Sequence, residues 1–251
     1  LAGGMGTRIS EESRWKPKPM IEIGDRPILW HIMKWYAFFG FQEFIVCCGY
    51  KGYMIKEYFV NYYAYQGDWH LRAESDNECA AEKQKEPWKV TLVDTGLKTL
   101  TAGRILRIKE YVGNEPFMLT YGDGIGDIDI GKLLECHRKS GKIVTITTTQ
   151  LDGRFGAVLM DDNGSVHGFK EKARKDQPFV NTGFMVMEPE IFNYLEDDTT
   201  VFEKQPMQRL AMEGQLKSFY HSGFWQCMDT QREMNKLEEL WQSGNAPWKI
   251  W

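Results

Sequence analysis

Short apolar runs alternate with amphipathic segments along the first 150 residues of this 251-residue chain. Runs such as Phe44–Cys48 and Phe117–Thr120 have the length and residue content of buried strands, whereas Ile28–Phe39 carries its apolar residues at helical spacing. This alternation is typical of βα units, which build a parallel sheet covered by helices. We therefore predict a Rossmann-like α/β fold in which a mixed, mostly parallel sheet is flanked by helices.

The pattern becomes more antiparallel after Gly153. Ala157–Met160 and Val166–Lys170 flank a short turn of Asp, Asn and Gly residues, which is the signal of a β-hairpin. We predict that residues 151–251 form a smaller α+β part of the same domain, so that a single domain covers residues 1–251.

Local signals predict further boundaries. A helix is expected over Gly103–Val112, an irregular polar stretch from about residue 66 to residue 87, and a helix over Thr230–Gln242. Asp129 is expected to cap a helix that Gly141 ends.

Composition argues against several classes of protein. The chain carries 35 acidic and 31 basic side chains, a formal net charge of −4, whereas nucleic-acid binding normally requires a basic face. The sequence contains neither a membrane-length apolar run nor a signal-peptide pattern. Its five cysteines form no CxxC pair, which favours a reducing compartment over a disulfide framework or a zinc site. We expect a cytoplasmic protein with no nucleic-acid and no membrane partner.

Two other features of the composition bear on structure. The sequence begins at Leu1 directly before a glycine-rich loop, so we expect strand residues ahead of position 1. Aromatic residues make up 14% of the chain. The aromatic-rich stretches Tyr62–Trp69 and Trp241–Trp251 are interpreted either as assembly surfaces or as core packing, and the two interpretations stay open.

The glycine-rich loop Gly3–Gly6 is the strongest local indication of a ligand. Its glycines allow close approach of the backbone, and successive N–H groups bind phosphate oxygens. The spacing matches neither a Walker loop nor the dinucleotide fingerprint. Arg8 follows directly, and Lys18 lies between two prolines that predict a stiff extended segment. A solvated basic loop is the alternative interpretation.

Two aspartates follow apolar strands. Asp123 ends the run that begins at Phe117, and ligands bind beyond the carboxyl ends of parallel strands. Asp229 ends a second run, although a helix N-cap is a competing role for it. Mg²⁺ needs only one or two carboxylates when substrate phosphates supply the other oxygens. Asp127 and Asp129 are interpreted as turn and cap residues, because the spacing of a calcium loop is absent.

Other reactive side chains indicate no site. The five histidines, all isolated in the sequence, are interpreted as structural or surface residues; they are His31, His70, His137, His167 and His221. Cys47 and Cys48 lie in an apolar run and are expected to be buried. The sequence has no GxSxG nucleophile motif, which argues against acyl-transfer hydrolysis.

Two short segments resemble the signature of the sugar-phosphate nucleotidylyltransferases. They are Gly3-Gly4-Met5-Gly6-Thr7-Arg8 and Pro17-Lys18-Pro19-Met20. Longer stretches along nearly the whole chain resemble the members that use CTP and α-D-glucose 1-phosphate. These stretches are Cys47–Tyr53, Glu86–Trp88 with Val90–Gly96, Gly223–Gln226 with Met228–Thr230, and Ala246–Lys249.

The resemblance implies a nucleotide-diphospho-sugar transferase fold with a nucleotide-binding half over residues 1–150 and a sugar-binding part over 151–251. It implies transfer of a cytidylyl group from CTP to the sugar 1-phosphate, with Mg²⁺ as cofactor, in a homo-oligomer. A phosphate nucleophile whose second pKa is about 6 needs no general base, which agrees with the lack of a convincing catalytic histidine.

The resemblance also implies roles for individual residues. The catalytic residues are Arg8, Lys18 and Asp123. The residues implied for the nucleotide are Leu1, Ala2, Gly3, Gly4, Gly6, Thr7, Arg8, Thr99, Arg104 and Gly122. Those implied for the sugar phosphate are Lys18, Glu171, Lys172 and Asn181, and the implied metal ligands are Asp123 and Asp229.

The chain departs from the family pattern at four positions. Ala173 and Cys227 stand where proline is usual, and Ala102 and Thr182 where glycine is usual. Thr182 is expected to add bulk beside the sugar, so the sequence specifies the sugar less firmly than CTP. The alternatives are another sugar 1-phosphate or nucleotide, or a catalytically silent nucleotide-binding relative. A silent relative is disfavoured because Lys18, Asp123 and Asp229 are all present.

Overall fold

The computed structural model describes residues 1–6, 13–62, 68–70, 78–80, 86–151, 157–160, 165–170 and 178–251. The described helices are α1 (Ile28–Phe38), α2 (Gly52–Val60), α3 (Thr101–Leu106), α4 (Lys109–Val112), α5 (Ile130–Ser140), α6 (Gln205–Met212) and α7 (Gln231–Gln242). Two 3-10 helices cover Lys18–Met20 and Pro189–Tyr194. The described strands are β1 (Glu22–Ile23), β2 (Arg26–Pro27), β3 (Glu43–Cys48), β4 (Asp68–His70), β5 (Glu78–Ala80), β6 (Lys89–Asp94), β7 (Phe117–Thr120), β8 (Gly124–Gly126), β9 (Val144–Gln150), β10 (Ala157–Met160), β11 (Val166–Lys170), β12 (Phe179–Met187), β13 (Leu216–Tyr220) and β14 (Trp225–Cys227).

The central sheet is mixed. β3 pairs with β6 in parallel, and β9 pairs with β13 in parallel, whereas β12 runs antiparallel to both β7 and β9. Leu1 and Ala2 connect the two sets of strands: Ala2 forms a parallel bridge to Cys48, and the nitrogen of Leu1 donates to the carbonyl of Thr120 over 2.5 Å. The predicted α/β architecture with a mixed sheet is therefore present.

A cavity of about 480 Å³ lies beside these first two residues, between β3 and β7. Apolar side chains of α1, β3 and β7 line it, among them Ile32, Phe44 and Leu119. Within the described part of the chain, β3 and β7 meet on this side only through Leu1 and Ala2. The cavity therefore separates β3 from β7 beside Leu1 and Ala2.

The main hydrophobic core joins α1 and α7 to the sheet. Ile28, Leu133, Phe184 and Leu237 are fully or almost fully buried in it. Trp248 has no exposed surface, and its ring stacks on Phe224 at a centroid distance of 5.6 Å. Core packing is therefore confirmed for Trp248, and an assembly role for the stretch Trp241–Trp251 stays a prediction.

Most predicted elements are confirmed, and three predictions are wrong. The stretch from residue 66 to residue 87 is not irregular throughout, because β4 and β5 pair as antiparallel strands. The expected helix over Gly103–Val112 is two helices, since Ile108 adopts φ −101° and ψ 7° and interrupts it. Lys18 is not extended: Pro17 is, and Lys18 begins a 3-10 helix. The predicted hairpin of β10 and β11 and the cap at Asp129 are both present.

Candidate active site

The loop Gly3–Gly6 lies beside the ends of β3 and β6, and its glycines are required for different reasons. A Cβ atom on Gly3 would lie 2.1 Å from the guanidinium of Arg104, so this glycine makes room for a protein side chain. Gly6 has φ +65°, a conformation that favours glycine. A Cβ on Gly4 would meet no atom of the described residues within 4 Å. Of the three, Gly4 is therefore the one whose backbone a ligand can approach.

Arg104 supports this loop from inside the protein. Its guanidinium donates to the carbonyl oxygens of Gly3 (3.0 Å) and Gly96 (2.9 Å) and to the hydroxyl of Thr95 (2.6 Å). Burial lowers the pKa of Arg104 from its ordinary value. Thr99, which is also buried, lies just before the helix that carries Arg104. Direct contact of Arg104 or Thr99 with a nucleotide stays a prediction.

Lys18 is the charged group at the centre of the site. Its side chain is only 11% exposed, and its Nζ atom lies 3.2 Å from Oδ2 of Asp123 and also contacts Oδ1 of Asp229. Burial lowers the pKa of Lys18, and the two neighbouring carboxylates raise it. The carboxylates together have the larger effect, so the pKa of the ammonium group lies above its ordinary value. Lys18 is thus a fixed positive charge between two negative ones.

Pairing of β8 with β14 brings the two aspartates together. Cys227 is opposite Gly124 in this antiparallel pair, and the N–H of Met228 donates to the carbonyl of Asp123 over 2.7 Å. Each aspartate therefore stands beside the same end of the pair, although 106 positions separate them in the sequence.

The competing role of Asp229 as a helix cap is wrong. Thr230 is the N-cap of α7, and it forms a capping box with Glu233. The carboxylate of Glu233 also accepts from the N–H of Asp229 over 2.9 Å. Thr230 occupies the cap position of α7, and Oδ1 of Asp229 contacts Lys18.

The donor set fits a hard divalent cation. Both carboxylates contact the same Nζ atom, so the two groups lie close together, and carboxylate oxygens are the ligands that Mg²⁺ prefers. Among the described residues, no group of three or more His, Cys, Asp or Glu side chains forms a self-sufficient metal site. Asp123 and Asp229 would therefore bind Mg²⁺ together with phosphate oxygens.

Both neighbouring aspartates make structural contacts, although Asp127 lies in an irregular segment after β8 and not in the predicted turn. Asp127 accepts from the N–H of Phe224 over 2.7 Å and from His221 over 3.0 Å. Asp129 accepts from the N–H of Lys132 over 2.9 Å and caps α5. His31 and His137 are buried and hydrogen-bonded, as expected of structural residues.

Part of the predicted site falls outside the described residues. Thr7, Arg8, Glu171, Lys172 and Ala173 belong to this set. Gly122 is described, and its N–H donates to the carbonyl of Leu1 over 2.9 Å.

Asn181 and Thr182 lie on β12. The side-chain oxygen of Asn181 accepts from the N–H of Gly183 over 2.9 Å. Thr182 is buried and donates to the carbonyl of Thr147 over 3.0 Å. Its added side chain is therefore accommodated inside the protein.

Sequence reasoning missed a cluster beside Asp123. Tyr121 donates its hydroxyl hydrogen to Glu203, whose other oxygen accepts from Thr101 over 2.6 Å. Tyr121 directly precedes Gly122 and Asp123, which was an available signal. Glu203 gave none, because 82 positions separate it from its partner tyrosine.

The site therefore combines a glycine-rich loop with a lysine that bridges two strand-end carboxylates. The sequence of the chain also matches a known protein family. Residues 1–230 match the family described as nucleotidyl transferase, and the chain belongs to this family. The chain is 49% identical to a protein named glucose-1-phosphate cytidylyltransferase from Salmonella typhi, over all of this chain and 98% of that protein. It is 42% identical, with the same coverage, to a probable glucose-1-phosphate cytidylyltransferase from Bacillus subtilis.

Solved structures agree on the fold. HddC from Yersinia pseudotuberculosis superimposes with a TM-score of 0.70 at 22% identity, covering 96% of this chain and 97% of that one. A UDP-glucose pyrophosphorylase from Acinetobacter baumanii gives a TM-score of 0.67 at 16% identity, covering 94% of this chain and 90% of that one. The predicted nucleotide-diphospho-sugar transferase fold is confirmed.

Proposed function

We propose that this protein transfers the cytidylyl group of CTP to α-D-glucose 1-phosphate, giving CDP-glucose and pyrophosphate. The observation that carries the proposal is full-length similarity, at 49% identity, to proteins that bear this activity in their names. The arrangement of Lys18, Asp123 and Asp229 supports nucleotidyl transfer as the chemistry.

The reaction joins two phosphates. An oxygen of the sugar phosphate attacks the α-phosphorus of CTP, the bond from that phosphorus to the bridging oxygen breaks, and pyrophosphate leaves with the electron pair. The attacking oxygen is already ionised at neutral pH, so the protein needs no base to remove a proton. The protein has to position the phosphates and to stabilise negative charge.

Residues of this chain supply both requirements. The open backbone at Gly4 would lie against the triphosphate, and Arg104 would hold the loop in shape through the carbonyl of Gly3. The Lys18 ammonium, fixed by its two partners, would contribute positive charge beside the phosphates. Arg8, Glu171, Lys172 and Asn181 keep the roles implied by resemblance.

Asp123 and Asp229 would hold Mg²⁺. Bound there, the ion would neutralise phosphate charge and polarise the phosphoryl group under attack. The proximity of the two carboxylates supports this assignment.

The cellular setting is also part of the proposal. Cys47, Cys48, Cys136 and Cys227 are free thiols, in keeping with a cytoplasmic enzyme. None of the helices in the described part of the chain has the length and apolarity of a membrane span. A homo-oligomer remains an expectation based on resemblance.

Substrate preference tests the proposal directly. Pyrophosphate release is measured with Mg²⁺ for four nucleoside triphosphates, each paired with several sugar 1-phosphates. We expect the highest kcat/KM for CTP with glucose 1-phosphate. Preference for UTP or dTTP would contradict the assignment of the base, and absence of turnover with every pair would contradict the enzymatic function.

A matched pair of variants tests the carboxylates. Asp123→Asn should lower kcat by about 10²–10³-fold, by analogy with other preorganised electrostatic groups. Asp129→Asn is the control, because asparagine also caps helices and Asp129 lies outside the site. Near-normal turnover of the Asp123 variant would refute the metal role.

A further inference from the structure

Two side chains from a distant part of the sequence, Thr101 and Tyr121, meet at Glu203. One of its carboxylate oxygens accepts from the hydroxyl of Tyr121, and the other accepts from the hydroxyl of Thr101 over 2.6 Å. The Thr101 hydroxyl in turn accepts from the N–H of Phe202 over 2.8 Å. We call Thr101, Tyr121 and Glu203 the Glu203 cluster.

The Glu203 cluster touches both sides of the proposed active site. Thr101 begins α3, the helix whose Arg104 holds the carbonyl of Gly3. Tyr121 lies two positions before Asp123, on the side of the sheet where β12 carries Asn181. Glu203 is thus bonded to the helix that supports the loop and to the tyrosine beside the metal carboxylates.

Packing fixes the ring of Tyr121 on the sugar side. A Cβ atom on Gly183 would lie 2.5 Å from the ring, so the ring lies directly against this backbone position. Gly183 has φ +83°, and the register of β12 against β9 shifts at this point. The Asn181 side chain lies near Tyr121. Movement of this ring would therefore disturb Asn181 and Gly183 together.

Although exposed, Glu203 is held at a defined place. Residues 197–203 dock on the start of α3: the N–H of Leu100 donates to the carbonyl of Asp198 over 2.8 Å, and that of Ala102 to Thr200 over 3.2 Å. Arg107 adds an ion pair with Asp198. The backbone that carries Glu203 is consequently anchored before its side chain makes any contact.

The tyrosine hydroxyl is the donor in this arrangement. Because a carboxylate only accepts hydrogen bonds, the O–H of Tyr121 is directed at Glu203.

We infer that Glu203 is a positioning residue for the sugar-phosphate subsite, acting through Tyr121 to hold the ring against Gly183 and beside Asn181. The inference rests on the proposed function, because it assigns the subsite of a hexose 1-phosphate to this side of the sheet. It distinguishes this subsite from the nucleotide subsite at the Gly3–Gly6 loop.

Separate Michaelis constants for the two substrates test this inference. Glu203→Ala should raise KM for glucose 1-phosphate about tenfold, because a displaced Tyr121 ring would no longer hold the sugar-phosphate subsite in position. KM for CTP should change by less than about twofold. Glu203→Gln keeps an acceptor for Tyr121 and a donor for Thr101, and should restore most of the sugar affinity. Tyr121→Phe should reproduce the sugar effect by removing the hydroxyl alone, and it remains informative if the alanine variant does not fold.

A double variant decides whether Glu203 acts through the tyrosine. Glu203→Ala combined with Tyr121→Phe should be no worse than either single variant within about twofold. Glu213→Gln is the matched control, because Glu213 accepts from Tyr194 over 2.6 Å in a similar pair on another part of the surface. It should leave both Michaelis constants unchanged.

The outcomes that overturn the inference are distinct from failure of the proposed function. Additive effects in the double variant, equal rises in both Michaelis constants, or no rise in either would each overturn the role of Glu203. If the wild-type protein prefers another sugar phosphate or nucleotide, the proposed substrates are wrong, and the same comparison of Michaelis constants is made with that pair.

Discussion

His31 is a neutral imidazole enclosed by indole rings. Its Nε2 atom donates to the carbonyl of Ile23 over 2.9 Å, and its Nδ1 atom accepts from the indole of Trp248 over 3.4 Å. The rings of Trp30 and Trp241 lie 5.1 and 4.6 Å from it, centroid to centroid. Burial lowers the pKa of His31 from 6.5 to about 4, because the enclosure disfavours the charged form.

The stability of the protein should therefore depend on pH through His31. Between pH 6.5 and about 4 the unfolded chain binds a proton at this position and the native chain does not, so the free energy of unfolding falls as the pH falls. The total loss is on the order of 3 kcal/mol. Urea unfolding at pH 7.5 and pH 4.5 measures it.

His31→Gln is the comparison protein, because glutamine supplies a donor and an acceptor and does not titrate. We expect a smaller loss of stability between the two pH values in this variant than in the wild type. Equal losses in the two proteins would show that His31 is not the responsible group.

At this scale, sequence reasoning found the charged residues of the site and missed their surroundings. Asp123 was identified because an apolar strand precedes it. Asp229 could not be separated from a helix cap, since the answer depends on the hydroxyl of Thr230 and on Glu233 four positions later. The sequence also could not show why position 3 must be glycine, because the side chain packed against it belongs to Arg104, far along the chain.

α3 is a helix that contains a residue of low helix propensity. Gly103 stands in this helix, where alanine would ordinarily be more stable by about 1 kcal/mol. A Cβ atom there would lie 2.5 Å from Cα of Asp198 and 2.8 Å from Thr99. The close approach of the loop of residues 197–203 requires glycine at this position.

Gly103→Ala should therefore destabilise the protein by about 1–3 kcal/mol, as overpacking does. The control is Gly131→Ala in α5, where a Cβ atom would find its nearest neighbour at 3.4 Å, which is ordinary contact. That variant should be unchanged or more stable by up to about 1 kcal/mol. The midpoints of urea unfolding give the comparison, and a stabilised Gly103 variant would contradict the packing described for α3.

Elements with strong periodicity were predictable, and elements shaped by distant contacts were not. α7 follows from its capping residues and its apolar spacing, which lie within one segment. The break between α3 and α4 does not: it lies at Ile108, next to Arg107, whose partner Asp198 is 91 positions away. β4 and β5 are only three residues long and carry no alternation that would indicate strands.

At the scale of the whole molecule, a cavity lies between β3 and β7. An extended segment joined to Leu1 would run parallel to both strands, because Leu1 and Ala2 already pair with them in that direction. Each buried apolar side chain would contribute about 1.5–3 kcal/mol, against about 1–2 kcal/mol per residue for ordering the backbone.

Five β-branched apolar residues joined to the amino group of Leu1 should raise Tm by roughly 5 °C or more. The control is an extension of five glycine and serine residues, which adds the same length without side chains that fill the cavity. Thermal unfolding followed by circular dichroism measures the difference. Equal Tm values for the two extended proteins would show that the cavity does not accept a strand.

The three charged groups of the site come from widely separated parts of the chain, with 105 positions between Lys18 and Asp123 and 211 between Lys18 and Asp229. A ribosome adds about 5–20 residues per second, so roughly 5–20 s pass between the synthesis of the two aspartates. During that interval Lys18 has at most one of its carboxylate partners. A nascent chain can therefore complete this set only after Asp229, just ahead of α7, has been synthesised, and a chain that stalls earlier lacks it.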